Sequence, residues 1–273
     1  MQVRDALIRA RDWGLERIDA QWLLEHLVGR PRAWLIAHDD HRIGSAQQAL
    51  FETMARRRLA GEPLAYIVGE REFCGLVLQV SPDVLVPRPE TELLVEWAIE
   101  CLPSAPEPSV AELGTGSGAI ALAIKHAAPA VSVTASDSSA PALEVARRNG
   151  LRHGLTVEWL RGDWWAPFGG RCFGLALSNP PYVAGDDPHL LALHHEPRLA
   201  LTPEGDGLSA LQRIVEQAPQ HLLPGAWLLL EHGHDQAAAV AALLAGEGFE
   251  RVSMRRDLAG LARCSGARWP GAN

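Results

Sequence analysis

Lysine is almost missing from this chain: Lys125 is the only one among 273 residues, and every other basic side chain is arginine. That imbalance reflects genome base composition rather than function. Positive charge as a whole is in short supply, with 25 basic against 33 acidic side chains and a formal net charge of -8. A protein that grips nucleic acid by bulk electrostatics needs a basic face to release phosphate counterions, so direct nucleic-acid binding is not expected. The four cysteines, Cys74, Cys101, Cys172 and Cys264, are far apart and form no C-x-x-C pair. Neither a zinc cluster nor a disulfide framework follows from them, and a reducing cytoplasm is the expected location. No apolar run approaches the roughly 18–20 residues that span a bilayer. The opening Met1-Gln2-Val3-Arg4-Asp5 carries charge where a secretion signal would be apolar, so no membrane association is expected. His194-His195 and His232/His234 lack cysteines or carboxylates at ligand spacing, so no metal site is expected either.

What is present is a globular composition, 47% hydrophobic and 21% charged, sufficient to bury a core. Residues up to about position 70 read as helices. Ala20, Leu23, Leu24 and Leu27 recur at helical spacing behind Asp19, taken as the N-cap. Gly29-Arg30-Pro31 ends that helix. Trp34-Leu35-Ile36 is a short apolar segment. A second long helix runs from Ser45 to about Leu59, with Leu50, Met54 and Ala55 expected on its inner side. The Arg56-Arg57-Arg58 run closes it, either as a solvated helix end or as a contact for an acidic partner. From Glu72 to Val86 the pattern turns to short β-like runs, which fits a hairpin between two domains.

Beyond the helix Leu93–Ile99 and the prolines at 103, 106 and 108, strands and helices alternate. The strand candidates are Val110–Leu113, Val131–Ala135, Val157–Leu160, Leu175–Leu177 and Ala226–Glu231, with two more near Phe249–Val252 and in the last twenty residues. Strand–helix units of this size indicate a mostly parallel sheet covered on both faces.

Two segments carry chemistry. Gly114-Thr115-Gly116-Ser117-Gly118 lies between a strand and a helix, where glycine lets the backbone turn sharply and approach a ligand. Alone, this pattern is equally a plain structural turn. The next strand, however, ends at Asp137, whose carboxylate can accept from both hydroxyls of a ribose. The G-x-G-x-G spacing leans towards S-adenosylmethionine and away from a dinucleotide.

The second segment is Ser178-Asn179-Pro180-Pro181-Tyr182, after the fourth strand. Two prolines fix the backbone and force Asn179 out of the helical region, giving a rigid corner at the C-terminal edge of the sheet. A planar amide or aromatic NH2 is a poor nucleophile because its lone pair is delocalised. Asn179 Oδ1 and the Pro180 carbonyl can each accept one of its N–H groups and aim the lone pair at a methyl sulfonium. Tyr182 supplies a flat wall and Pro181 stiffness. No strong base is required, because the sulfonium leaves as a neutral thioether.

With these motifs, the sequence resembles the peptide chain release factor N(5)-glutamine methyltransferases, the PrmC/HemK family, over nearly its whole length. Glu62-Pro63-Leu64-Ala65-Tyr66-Ile67 with Gly69-Glu70-Arg71-Glu72-Phe73, and Val86-Pro87-Arg88-Pro89-Glu90-Thr91-Glu92, are similar to specific family stretches. So are Glu196-Pro197 through Asp206-Gly207-Leu208, and Leu230-Glu231-His232-Gly233-His234-Asp235-Gln236. Asn-Pro-Pro-Tyr is shared more widely among amino-methyltransferases.

The resemblance implies an α/β fold: a class I S-adenosylmethionine-dependent methyltransferase with a Rossmann-like seven-stranded sheet and a small helical N-terminal domain. The implied division is 1–72 for substrate recognition, 73–86 as a hairpin linker and 87–273 for catalysis. It implies methyl transfer to the glutamine amide of the Gly-Gly-Gln motif of bacterial release factors, with S-adenosyl-L-homocysteine as product. Gly114, Thr115, Gly116, Ser117 and Gly118 would surround the methionine part of the cofactor and Asp137 its ribose. Trp164 would flank adenine, with Trp165 as the competing choice and a core role open for either. Asn179, at the junction with the cofactor, would hold the substrate amide together with Pro180, Pro181 and Tyr182. The catalytic roles fall on Asn179, Pro180 and Tyr182. Glu112 stands where many members have Asp, and its longer arm is expected to reach the cofactor amine through water. The Pro87–Glu92 stretch is expected along the cofactor pocket.

Three rivals share parts of this pattern. A ribosomal-protein glutamine methyltransferase has the same catalytic motifs, and Asp19-Ala20-Gln21-Trp22-Leu23-Leu24 favours the release-factor enzyme. A nucleic-acid amino-methyltransferase would need a basic or aromatic recognition insertion after Asn-Pro-Pro-Tyr, which is not seen. A silent cofactor-binding adaptor sits poorly with the intact motif. Charge sharpens the second point. Residues 1–72 hold 11 basic and 11 acidic side chains, so the remainder, with 14 and 22, carries the whole deficit. That acidity suits a ligand bearing a sulfonium and an ammonium, not a phosphate-rich one.

Overall fold

A computed structural model describes residues 1–271 and divides the chain into two compact units, the first Met1–Glu70 and the second starting at Arg71. The first unit is helical: α1 (Val3–Asp12), α2 (Arg17–Val28), α3 (Arg32–Ala37), α4 (Ser45–Leu59) and α5 (Leu64–Val68). Its core gathers Val3, Leu23, Leu24, Leu35, Phe51 and Met54.

Two expectations change here. Asp19 is not an N-cap: α2 begins a turn earlier, with Glu16 at the N-cap, and Asp19 is buried in its first turn. Its carboxylate takes Arg58 Nε at 2.6 Å instead. Leu50 points outward at 50% exposure, and Phe51 occupies the core in its place. The arginine run is a helix end with Arg56 and Arg57 exposed, and within it Arg57 pairs with Glu62 and Arg58 with Asp19. Gly29 does cap α2, in the left-handed conformation at φ 67°.

A short hairpin begins at the last residue of the first unit, β1 (Glu70–Phe73) and β2 (Leu76–Gln79), and ends earlier than Val86. Then follow α6 (Glu92–Cys101), β3 (Ser109–Leu113), α7 (Ala119–Ala127), β4 (Ser132–Asp137), α8 (Ala140–His153), β5 (Glu158–Arg161) and β6 (Phe173–Ser178). The chain ends through α9 (Arg198–Leu201), α10 (Ser209–Gln217), β7 (Leu222–Glu231), α11 (Ala237–Gly246), β8 (Glu250–Arg256) and β9 (Ala262–Arg268). Seven strands form one sheet in the order β5-β4-β3-β6-β7-β9-β8. The first five run parallel, and β9 is antiparallel to both its neighbours.

Alternate residues of the central strands feed two cores. Leu175, Leu177 and Leu229 join α6 and α7 residues on one face. Ala176, Leu228 and Leu230 join Leu211, Ile214 and Val240 of α10 and α11 on the other. Burial on both faces is why these strands read as unbroken apolar runs. Among the described residues, no helix is long and apolar enough to cross a membrane.

The topology fixes where a ligand can bind. From β3 the chain builds outward to β4 and β5, then returns to place β6 and β7 on the other side of β3. The loops after β3 and β6 therefore diverge at the C-terminal edge, leaving a crevice. The glycine turn follows β3 and Asn179 follows β6, so the switch point brings both motifs to one place.

Candidate active site

The crevice is lined by Gly114, Thr115, Gly116 and Ser117 from the turn, Glu112 beneath it, Asp137, Trp164, Asn179 and Pro181. Gly118 is not in the lining. Each of the three glycines has positive φ, at 74°, 54° and 82° for Gly114, Gly116 and Gly118. They serve different ends. A Cβ on Gly116 would meet no atom within 4 Å, whereas one on Gly118 would lie 3.0 Å from the Trp159 ring and 3.1 Å from Ala146 Cβ. Gly118 is therefore a packing residue at the start of α7, and Gly116 a residue of the ligand wall.

Asp137 is held by two backbone amides, Gly116 N to Oδ2 and Ser139 N to Oδ1, both at 2.8 Å. Burial raises its pKa, against the lowering by those two amides. Each carboxylate oxygen keeps a lone pair for a further donor.

Glu112 is 1% exposed. Oε2 accepts Thr115 Oγ1 at 2.6 Å and the Ala121 amide at 3.0 Å, while Oε1 is buried with no partner. Burial pushes this carboxyl up to about 8, opposed by those two hydrogen bonds and reinforced by Asp137. An unpartnered carboxylate oxygen at the wall of a crevice fits a cationic ligand group. Two carboxylates and no lysine or phosphate-binding arginine inside the glycine turn fit a sulfonium and ammonium ligand.

The two tryptophans separate. Trp165 is fully inside, donating Nε1–H to the Ile214 carbonyl at 3.0 Å and stacking on His221 at 4.8 Å. Trp164 faces the crevice and adopts φ 46°, a left-handed conformation rare for a bulky residue. Ser136 Oγ donates to its carbonyl at 3.1 Å. That turn lets consecutive indoles point opposite ways.

Asn179, Pro180 and Tyr182 line a second, smaller cavity together with Arg88, Val183 and Leu193. Asn179 borders both cavities; Pro180 and Tyr182 border only the smaller one, and Pro181 only the larger. The Asn179 Nδ2 donates to Thr91 Oγ1 at 3.2 Å, which leaves Oδ1 as a free acceptor. Tyr182 donates its hydroxyl to Glu231 Oε1 at 3.3 Å, and its own carbonyl accepts from Gln236 Nε2 at 3.0 Å. Its phenol pKa is raised by burial and by the Glu231 carboxylate.

Pro87, Arg88 and Thr91 lie along the larger cavity. Arg88 forms an ion pair with buried Glu196, whose other oxygen accepts the Val86 amide at 3.0 Å. This anchors the 84–91 segment beside the site. Glu196 and Glu231 carried no role in the sequence reading, and Thr91 entered it only as part of the Pro87–Glu92 stretch expected along the pocket. The only signal for them was membership of the family-like stretches, because their partners lie far away in the chain.

Residues 4–69 match the family described as the PrmC N-terminal domain, and residues 90–246 the methyltransferase small domain. A protein of Bordetella pertussis named release factor glutamine methyltransferase is 51% identical, covering 93% of this chain and 96% of its own length. The chain belongs to the release factor glutamine methyltransferase family. A Coxiella burnetii member with the same name is 45% identical over 92% of this chain and 91% of its own. Among solved structures, a methyltransferase from Pyrococcus furiosus matches with TM-score 0.54 at 20% identity, covering 84% of this chain and 100% of that one. It shares the family's fold.

Proposed function

We propose that this chain transfers a methyl group from S-adenosylmethionine to the side-chain amide nitrogen of the glutamine in the Gly-Gly-Gln motif of bacterial release factors. The observation that carries this reading is the position of Asn179. It is the corner between a crevice suited to a cationic nucleoside ligand and a smaller neighbouring cavity, and its Oδ1 is an unused acceptor.

When bound, the cofactor supplies an electrophilic methyl on a sulfonium that leaves as a neutral thioether. Glu112 Oε1 would receive the ammonium through water, Asp137 would accept from the ribose hydroxyls, and Trp164 would pack beside adenine. Asn179 Oδ1 and the Pro180 carbonyl accept the two N–H groups of the substrate amide, which localises its lone pair and directs it at the methyl group. Pro181 stiffens the corner and Tyr182 walls the smaller cavity. The proton is lost to solvent after transfer, so no side chain has to act as a strong base. The helical unit contributes recognition of the release factor body. The names of the relatives and the match of that unit to the PrmC N-terminal domain support a release factor over a ribosomal protein. A cytoplasmic location follows from that substrate.

The test is transfer of labelled methyl from S-adenosylmethionine to four separate acceptors. These are a release factor, the same factor with its Gly-Gly-Gln glutamine changed to alanine, ribosomal protein, and RNA or DNA. Label is expected on the first alone. Label only on ribosomal protein or only on nucleic acid would overturn the reading.

A further inference from the structure

The two prolines that stiffen the Asn179 corner also remove its means of attachment. Pro180 and Pro181 have no N–H, so neither can be tied to the scaffold by donating an amide hydrogen. With both φ angles fixed, the direction of the Pro180 carbonyl depends on where the two ends of the corner are held. The entry is held by the sheet: Ser178 pairs with Leu230, and its hydroxyl donates to the Leu113 carbonyl at 2.6 Å. The exit, at Tyr182, has to be fastened from outside the motif.

Gln236 fastens it. This residue is the N-cap of α11, a short step beyond β7, the strand beside β6. Its Nε2 donates to the Tyr182 main-chain carbonyl at 3.0 Å, and its Oε1 accepts the Gly233 amide at 2.9 Å. These partners settle which way the side-chain amide points. A carbonyl only accepts and a backbone N–H only donates, so the flipped amide would lose both bonds. Gly207 closes the other side of the same carbonyl. It adopts φ 79°, and a Cβ there would overlap the Tyr182 carbonyl oxygen and lie 3.0 Å from Gln236 Nε2. The chain is tied once more at the next residue, where the Val183 amide donates to the Leu201 carbonyl at 3.0 Å. Neither Gln236 nor Gly207 lines either cavity.

We propose that Gln236 is a positioning residue for the substrate clamp: by holding the Tyr182 carbonyl against Gly207, it fixes the exit of the Asn-Pro-Pro-Tyr corner, and with it the aim of the Pro180 carbonyl and the wall of the smaller cavity. The role rests on the amide-methylation reading above. In its terms, the Asp206-Gly207-Leu208 and His232–Gln236 stretches, whose residues line neither cavity, act on the substrate through Tyr182.

The test uses the full-length protein and a release factor acceptor, with the single variants Gln236→Leu and Gln236→Glu. Gln236→Leu loses both hydrogen bonds, and kcat is expected to fall roughly tenfold, on the order of one hydrogen bond. KM for the release factor and affinity for S-adenosylmethionine should stay within about twofold. Gln236→Glu separates the two bonds. The new carboxylate still accepts the Gly233 amide but turns an oxygen, in place of NH2, towards the Tyr182 carbonyl. Once protonated it donates there again, and that hydrogen bond favours the protonated form. The ratio of variant to wild-type turnover should therefore rise several-fold as pH is lowered from about 8 to about 5.5. Taking the ratio at each pH cancels the titration of Glu231, His232, His234 and Asp235, its neighbours in the chain. A side chain that merely supported the fold would lower the melting temperature without this pH dependence. Wild-type kcat in Gln236→Leu would overturn the proposal, as would a Gln236→Glu ratio that does not change with pH. Absence of label in the wild-type sample would instead remove the amide-methylation reading itself. Should Gln236→Leu fail to fold, the isosteric Gln236→Glu decides the matter.

Discussion

Gly116 donates its backbone amide to Asp137 Oδ2 at 2.8 Å, so the glycine turn after β3 and the end of β4 form one rigid unit. The same carboxylate holds the Ser139 amide that opens α8. On the proposed function, a ribose arriving here would meet acceptors already aimed.

Asp137→Asn removes the charge and leaves one oxygen to serve two amides and two hydroxyls. Affinity for S-adenosylmethionine is expected to fall at least tenfold by titration calorimetry, since hydrogen bonds to a charged group contribute about 1.5–3 kcal/mol. Unchanged affinity would place the ribose elsewhere.

Gly116 and Gly118 should respond differently to alanine. Gly116→Ala meets open space and incurs only left-handed strain, about 1–2 kcal/mol. Its added methyl stands at the ligand wall, so cofactor affinity suffers more than stability. Gly118→Ala adds a crowded contact with Trp159 and Ala146, so overpacking contributes a further ~1–3 kcal/mol. Chemical denaturation of the two variants, with cofactor titrations alongside, checks the contrast.

Trp164→Ala is expected to weaken cofactor binding roughly tenfold or more, in line with the ~1–3 kcal/mol of a base stacked on an aromatic ring, with a small change in melting temperature. Trp165→Ala empties a core site bounded by Phe168 and His221. It should destabilise the fold by about 3–5 kcal/mol. The reverse pattern would exchange their roles.

The buried carboxyls predict a direction for stability against pH. Glu112 has a folded pKa of about 8, above its ordinary 4.5. The unfolded chain therefore loses this proton first as pH rises. The stability contributed by the protonated group is whole below about pH 4.5 and is progressively lost towards pH 8. Glu231, raised to about 7, acts in the same direction. Without cofactor, melting temperature should decline between pH 5 and 8, and less steeply in Glu112→Gln. An equal slope in that variant would contradict the assignment.

How far the sequence revealed this site depends on the span of each contact. The glycine turn, Asp137 and the Asn-Pro-Pro-Tyr corner are local patterns whose backbone chemistry is visible in a few residues, and the parallel topology brings them together. Asp19 misled because serving as an N-cap and pairing with Arg58 look alike until α4 packs against α2. Leu50 and Phe51 compete for one inner position, and spacing alone does not choose between them. Trp164 and Trp165 are adjacent, and only the left-handed turn at Trp164 sends one to the crevice and the other to the core. Thr91 lies in the stretch expected along the pocket, but its bond to Asn179 was not legible, because the two residues are 88 positions apart in the chain.

The central claim is that Asn179 accepts from the substrate amide while the cofactor is held by other groups. Its most direct test is single-turnover methyl transfer by Asn179→Ala to a release factor, paired with S-adenosylmethionine affinity of the same variant. Loss of one preorganised partner is worth about 3 kcal/mol, so transfer should slow by roughly two to three orders of magnitude, with cofactor affinity near that of the wild type. Transfer at the wild-type rate would contradict the amide clamp.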